Sequence, residues 1–226
     1  MSASGLKSAR KKKGLTEQEV ALKLGISQPY VALLESGKRK LPRKLARRVA
    51  EVYGVAPTLL PLSANALHLF DPDTFAKELA AVGYPGFSYL RSQKKRNPAE
   101  LLLKALAQEN LESRLTEALP WLLLEFPGMD AEWLLREARI RNLQNRLGFV
   151  AGLAAQAITI DGRAEPDFLV ALLTELRESR LVREDTLCQS LLSSVERNWL
   201  RQNRTPLAEY WNLLTDWRPE YLSYAH

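Results

Sequence analysis

The side chains with the clearest potential for chemistry are the cationic residues near the start of the chain. Residues 1 to 57 contain 13 Lys and Arg against 4 Glu, whereas the remaining residues contain 19 basic and 22 acidic residues. Clustered Lys and Arg bind phosphate groups and release counterions from nucleic acid. The asymmetry therefore favours a nucleic-acid-binding segment joined to a larger region with another task, although a merely soluble surface is the alternative.

Residue types that carry catalysis are sparse and scattered. His68 and His226 lie far apart, and the single cysteine, Cys188, follows Leu187 in an apolar stretch typical of a packing residue on a buried helix. We find no glycine-rich phosphate loop and no nucleophile signature. The sequence predicts a protein that is not an enzyme and that has no cofactor and no metal site.

Short helices with tight turns must position the basic side chains. Leu6 to Lys13 reads as a first helix, and the Thr16 to Glu19 segment has the pattern of a capping box that starts a second. Gly25 ends that helix, and a third is predicted over Gln28 to Glu35. A further helix follows Pro42 and ends at Gly54. Two short helices joined by a tight turn at Gly25 form a helix-turn-helix.

Residues 5 to 57 resemble the Cro/phage-repressor (XRE) helix-turn-helix family. The resemblance rests on several fixed offsets and covers about a quarter of the chain. It implies a five-helix DNA-binding domain that usually acts as a dimer. The residues that carry it are Gly14-Leu15-Thr16, Val20-Ala21, Leu24-Gly25-Ile26-Ser27, Tyr30-Val31 and Leu34-Glu35-Ser36-Gly37-Lys38-Arg39.

The same resemblance implies a role for individual residues at the DNA. The third helix would enter the major groove, where Gln28 suits adenine and Tyr30 suits a thymine methyl group or a phosphate. Ser27 would cap the helix and contact a phosphate, and Leu33 would contact a thymine methyl group. Pro29 lies between the two base-reading positions. The side chains expected at the DNA backbone are Lys38, Arg39, Lys40, Arg43, Lys44 and Arg10.

The chain beyond residue 57 is predicted to be almost entirely helical. A connector with Pro57 and Pro61 leads into helices over 71–82, 98–109, 111–126 (interrupted at Pro120), 129–157 (broken near Asn142), 166–179, 183–203 and 206–214. The one candidate strand is Ile158-Thr159-Ile160.

Three patches in this region invite a functional interpretation. Residues 83 to 97 mix aromatic and basic side chains, which favours a surface loop anchored by its aromatics over a second nucleic-acid contact. Arg136, Arg139 and Arg146 would share one face of a continuous helix, which favours pairing with nearby Glu residues over binding of an acidic partner or an anion. The aromatic end of the chain either docks back or inserts into a partner; its candidate anchors are Trp217, Tyr221 and Tyr224.

Together these observations predict an all-α protein with a helix-turn-helix domain (1–57), a linker (58–65) and a larger helical dimerisation or partner-binding domain (66–226). We expect a cytoplasmic, sequence-specific DNA-binding regulator without a membrane segment, which acts as a homodimeric repressor on a palindromic operator. The alternative is an antitoxin that neutralises a protein toxin through its helical domain and represses its own operon. A third hypothesis is a repressor that responds to a small molecule.

Overall fold

A computed structural model describes residues 3–39, 41–62, 70–91, 95–160, 162 and 164–224. The chain divides into two compact units. The N-terminal unit comprises Met1–Leu62 with Lys95–Asn97, and the C-terminal unit comprises Ser63–Lys94 with Pro98–His226. Residues 58–62 of the predicted linker therefore belong to the N-terminal unit, where the Asn97 amide donates to the carbonyl groups of Thr58 and Leu60, both at 2.8 Å.

Four α-helices and one turn of 3-10 helix build the described part of the N-terminal unit. They are α1 (Ala3–Lys12), α2 (Glu17–Leu24), α3 (Gln28–Glu35), α4 (Arg43–Tyr53) and the 3-10 turn Pro57–Leu59. The predicted helices of this segment are thus present. In place of the fifth helix that the resemblance implies, the described residues contain this 3-10 turn, which Pro57 begins and which Pro61 follows as a residue unfavourable to helix.

Local sequence signals set the ends of these helices. Thr16 and Glu19 form the predicted capping box at the start of α2, and each side chain accepts from the other residue's backbone N–H. Gly25 ends α2 in the left-handed conformation at φ 69°, which turns the chain into α3 at low steric cost. The helices enclose a small core of Leu6, Val20, Ala21, Leu24, Val31, Val49 and Tyr53.

Nine helices form most of the described C-terminal unit. They are α5 (Pro72–Val82), α6 (Pro98–Leu106), α7 (Ser113–Thr116), α8 (Ala118–Glu125), α9 (Ala131–Ile140), α10 (Gln144–Ile160), α11 (Asp167–Glu178), α12 (Ser194–Asn203) and α13 (Pro206–Tyr210), with further 3-10 turns at Pro85–Phe87 and Pro219–Tyr221. Helix α10 packs against α8, α9, α11 and α13 and is the centre of this unit.

Several predicted boundaries are wrong for identifiable reasons. The break in 111–126 falls at Glu117, because Pro120 lies in the first turn of α8, where its missing N–H is tolerated. The candidate strand Ile158–Ile160 is instead the last turn of α10. The predicted break near Asn142 is confirmed, since this residue adopts φ 57° between α9 and α10.

The region predicted as a helix over 183–203 is helical only in its second half. Its first half contains β1 (Asp185–Thr186), which pairs in parallel with β2 (Leu213–Leu214). Cys188 is buried as predicted, but it lies in a turn after β1 rather than on a helix. Contacts distant in sequence override the helical pattern here.

Close packing around α10 requires small residues. A Cβ atom at Gly148 would lie 2.4 Å from the Trp211 ring, so glycine at this position admits the largest fully buried side chain among the described residues. Among the described residues, no helix has the length and apolar composition needed to cross a lipid bilayer.

Candidate nucleic-acid interface

Helix α3 is fixed by its inward face. Val31 and Leu34 are buried in the core of the N-terminal unit, and Ser27 is the N-cap residue. The Ser27 side chain makes no capping hydrogen bond, so within the described residues its exposed hydroxyl is available to another acceptor or donor. The helix therefore presents its first turn and its outer face to solvent.

A buried polar network holds the end of α3 against α1. Arg10 donates from Nε and Nη2 to the Glu35 carboxylate at 2.7 and 2.9 Å, and the Tyr53 hydroxyl donates to the same carboxylate at 2.9 Å. Arg10 also contacts Glu17 at 3.2 Å. Because its guanidinium is buried and bonded within the unit, the prediction that Arg10 contacts DNA is wrong.

Glu35 stays ionised in this network. Burial acts to raise its pKa, but the hydrogen bonds from Arg10 and Tyr53 outweigh burial and hold the pKa of Glu35 below its usual value. Burial and the neighbouring carboxylate raise the pKa of Tyr53 above its ordinary range. The network is therefore a structural support behind α3, and the bond to Glu17 partly neutralises the acidic residue at the start of α2.

The residues predicted to read bases lie on the outer face of α3. Gln28 and Pro29 are exposed, Tyr30 is half-buried, and Leu33 has 39% of its surface exposed to solvent. Leu33 and Pro29 border a shallow groove that also includes the basic Lys7 and Lys38 and the acidic Glu17 and Glu35. The sequence did not single out Lys7, and the signal that could have found it is its position one helical turn before Arg10.

The predicted backbone-binding cations follow α3 and begin α4. Lys38, Arg39 and Lys44 are exposed, and in the described part of the chain their side chains form neither an ion pair nor a side-chain hydrogen bond. The prediction for Lys40 falls outside the described residues, and so does the side chain of Arg43. Three exposed cations thus remain available, and of these Lys38 lines the same groove as Pro29 and Leu33. Exposed cations next to base-reading positions are suited to phosphate binding.

The three arginines singled out in the C-terminal unit do not lie on one helix, because the chain breaks between α9, which carries Arg136 and Arg139, and α10, which carries Arg146. Arg139 bonds Glu175 and Ser179, and Arg136 lies beside Glu137. Arg146 is nearly buried, where it binds Asp185 through two hydrogen bonds and donates to the carbonyl groups at the end of α6. Pairing with nearby acidic residues, the favoured interpretation, is confirmed for all three.

The aromatic end of the chain docks back onto its own unit. The Tyr224 hydroxyl donates to the Glu117 carbonyl at 3.0 Å, and its ring contacts Tyr84 edge-on. Trp217 is half-buried against Tyr221, which is exposed. In the loop 83–97, the buried rings of Tyr84 and Phe87 provide the predicted anchors, whereas Tyr89 is exposed.

The other residue types that could carry chemistry are the thiol and possible metal ligands. Cys188 is buried, and burial raises the pKa of its thiol to about 11. The described His, Cys, Asp and Glu residues form no cluster of three or more that could hold a metal ion.

The comparison with protein families agrees with the geometry. Residues 6–60 match the helix-turn-helix family model. Comparisons with curated proteins and with solved structures gave no match. The match covers the N-terminal unit and leaves the C-terminal unit unassigned. Residues 6–60 are therefore a helix-turn-helix domain of the XRE type, and the protein is a DNA-binding transcription regulator.

Proposed function

We propose that the protein is a repressor that binds a palindromic operator as a homodimer. The observation that carries the proposal is the outer face of α3, where exposed Gln28 and Leu33 lie close in the chain to free Lys38 and Arg39. A polar and an apolar side chain can distinguish base edges, and flanking cations hold the phosphates. Repression then follows from occlusion of the promoter.

Each part of this face has a separate task at the DNA. The Gln28 amide can donate to adenine N7 and accept from its N6 amino group, and Leu33 can cover a thymine methyl group. Lys38, Arg39 and Lys44 neutralise phosphates without reading sequence. A dimer places two copies of α3 in successive major grooves about 34 Å apart, which makes the operator palindromic.

Selection of bound sequences from a random DNA pool tests the proposal. We expect a palindrome whose half-sites contain adenine opposite Gln28. The Gln28→Ala variant should lose about 1–3 kcal/mol of discrimination at that position alone. Enrichment of no sequence, with binding of every DNA equally, would overturn sequence-specific repression.

An antitoxin is the second candidate function. The observation in its favour is a group of large apolar side chains exposed on the C-terminal unit, which includes Leu191, Val195 and Trp199. Co-expression with the neighbouring open reading frame, followed by affinity purification, tests this function. A stoichiometric complex that relieves toxicity supports it, and a homodimer beside a harmless neighbour contradicts it.

A further inference from the structure

A groove in the C-terminal unit is lined mainly by apolar side chains. It lies between the start of α5, the segment 110–112, the turn after β1 and the start of α12, and its volume is about 470 Å³. Binding sites for small organic molecules have volumes of roughly 300–1,000 Å³ and a lining of this kind. We call it the Leu111 groove, and its apolar lining residues are Phe70, Pro72, Leu111, Leu191 and Leu192.

Hydrogen bonds within the unit hold one wall of the Leu111 groove in place. The Leu111 backbone N–H donates to the Cys188 carbonyl at 2.9 Å. The Asn110 side-chain amide donates to the Ser190 hydroxyl at 2.9 Å and accepts from the Leu191 backbone N–H at 3.3 Å. A ligand therefore meets a wall that is already formed, which reduces the entropy lost on binding.

Two carboxylates line the same groove. The Glu112 side chain is exposed and forms neither an ion pair nor a hydrogen bond within the described residues. Glu196 accepts from the Ser193 hydroxyl and backbone N–H, both at Oε2, and these bonds hold the pKa of Glu196 below its usual value. Its Oε1 accepts no hydrogen bond from the described chain, so both carboxylates have free acceptors for a ligand.

None of the described side chains that line the Leu111 groove is cationic. The cations that contact lining residues are bonded to other groups of the unit; they are Lys104, Arg146 and Arg197. Lys104 pairs with Glu78 and Arg146 pairs with Asp185, whereas Arg197 donates to two backbone carbonyl groups. The charge that a ligand meets inside the groove is therefore negative.

We propose that the Leu111 groove binds a small organic amine with an apolar body. The apolar lining covers the body of the ligand, and its ammonium group donates to Glu112 and Glu196. An anion would be repelled by both carboxylates. A bare metal ion does not fit, because the described residues contain no cluster of three ligands here. The site is separate from the proposed function, since all of its lining residues belong to the C-terminal unit.

Three probes with the same alkyl chain and different charges test the proposal. They are octylammonium, octanol and octanoate, and isothermal titration calorimetry with the full chain measures their binding. We expect octylammonium to form a 1:1 complex that is roughly 10-fold tighter than that of octanol, and octanoate to bind most weakly. Bound octylammonium should also slow hydrogen exchange of the Leu111 and Leu191 amides, which locates it in the groove.

Replacement of both carboxylates should remove the preference for the amine. Glu112→Gln combined with Glu196→Gln should weaken octylammonium binding by roughly 10-fold and leave octanol binding unchanged. Glutamine also serves in a capping box, so the start of α12 is retained. Glu132→Gln combined with Glu178→Gln is the matched control, because it removes the same charge from two exposed residues of this unit outside the groove. The control should bind octylammonium as the wild type does.

A change in the apolar lining should affect the probes differently. Leu191→Ala should weaken octylammonium and octanol by the same factor, about 5-fold, because it removes apolar surface that covers the alkyl chain of either probe. Leu191 is 85% exposed in the free protein, so the melting temperature without ligand should match the wild type.

Several results would overturn the amine site. Equal affinity for the three probes would do so, as would the absence of binding by any of them or an unchanged preference in the double glutamine variant. If octylammonium does not bind and a basic product of the neighbouring gene binds the wild type but not that variant, the groove belongs to a protein partner. None of these results changes the DNA selected by α3, so failure of the amine site leaves the proposed function in place.

Discussion

Three arginines of the C-terminal unit differ in their bonding from two cations of the N-terminal unit. In the C-terminal unit, Arg139, Arg146 and Arg201 are bonded to Glu175, Asp185 and Glu184 at 2.7–3.1 Å. In the N-terminal unit, Lys38 and Arg39 are exposed and, within the described residues, free of acidic partners. The number of cations in a segment therefore does not show how many of them are available to bind phosphate.

Arg10 shows why the distinction matters within one unit. It lies in the strongly basic first segment, yet it is buried and bonded to Glu35. Lys13 is likewise engaged, because its ammonium donates to the carbonyl groups at the end of α4. The unit thus uses some cations to hold α3 and α4 in place and leaves others for the phosphates.

The largest loss of stability is expected on removal of the cation that makes the most hydrogen bonds within its unit. Arg146→Met should destabilise the C-terminal unit by about 4 kcal/mol, because Asp185 and the carbonyl groups of Leu106 and Gln108 lose their partner. All five tryptophans lie in this unit, so tryptophan fluorescence during urea unfolding measures the change. Arg139→Met, whose side chain is 40% exposed, is the control and should cost less than about 1 kcal/mol.

The next largest loss of stability is expected when the buried polar network of Arg10, Glu35 and Tyr53 behind α3 is disrupted. Glu35→Ala leaves the Arg10 guanidinium buried without its carboxylate, which should destabilise the N-terminal unit by about 3 kcal/mol. Hydrogen exchange of the α3 amides measures this opening, since the tryptophans report on the other unit. Glu17→Ala is the matched control, and equal exchange in the two variants would contradict a network centred on Glu35.

The free cations should affect DNA binding without affecting stability. We expect Lys38→Ala combined with Arg39→Ala to weaken operator binding by roughly 30-fold and to reduce the salt slope of log K by about 2. Fluorescence anisotropy over a range of salt concentrations measures both quantities. Lys23→Ala is the control, because Lys23 borders a separate groove with Lys13 and Glu51. An unchanged salt slope in the double variant would show that these cations do not contact phosphate.

The smallest predicted effect is the loss of folding stability at acid pH. Burial acts to raise the pKa of Asp185, but the bonds from Arg146 outweigh it, and the pKa of Asp185, like that of Glu35, lies below its usual value. Such carboxylates stabilise the fold fully above their unfolded pKa of about 4, and this contribution is lost as the pH falls through the folded value.

A pair of substitutions assigns this loss to the two units. Glu35→Gln should reduce the dependence of α3 hydrogen exchange on acid pH and leave that of the tryptophan fluorescence unchanged. Asp185→Asn should reduce the dependence of the fluorescence and leave that of the hydrogen exchange unchanged. If either substitution flattened both signals, the two networks would not be independent supports of their units.

The N-terminal unit was predictable because its signals are local. The capping box at Thr16, the left-handed Gly25 and the apolar positions of α3 act within a few residues of one another, so their spacing indicates helices and turns directly. The outward position of Gln28 and Leu33 follows from the same periodicity. The resemblance then added a function that the helical pattern alone does not specify.

For the C-terminal unit, the sequence predicted the helical fold class but not the contacts between distant segments. Residues 183–193 carry a helical pattern, but Asp185 and Thr186 pair with Leu213 and Leu214, about 28 residues further along the chain. Asp185 of β1 also accepts hydrogen bonds from Arg146 of α10. Contacts over such separations leave no periodic signal, so sequence reasoning could not find them.

The all-α class, the helix-turn-helix and the cationic character of its surface follow from the sequence alone, since each depends on neighbouring residues. The three-dimensional contacts were needed to show that Arg10 supports α3 from behind, that Arg146 joins α10 to β1, and that Val195 and Trp199 are exposed. The reason is physical: the role of a side chain depends on the acceptors and the solvent around it, and distant segments of the chain supply both.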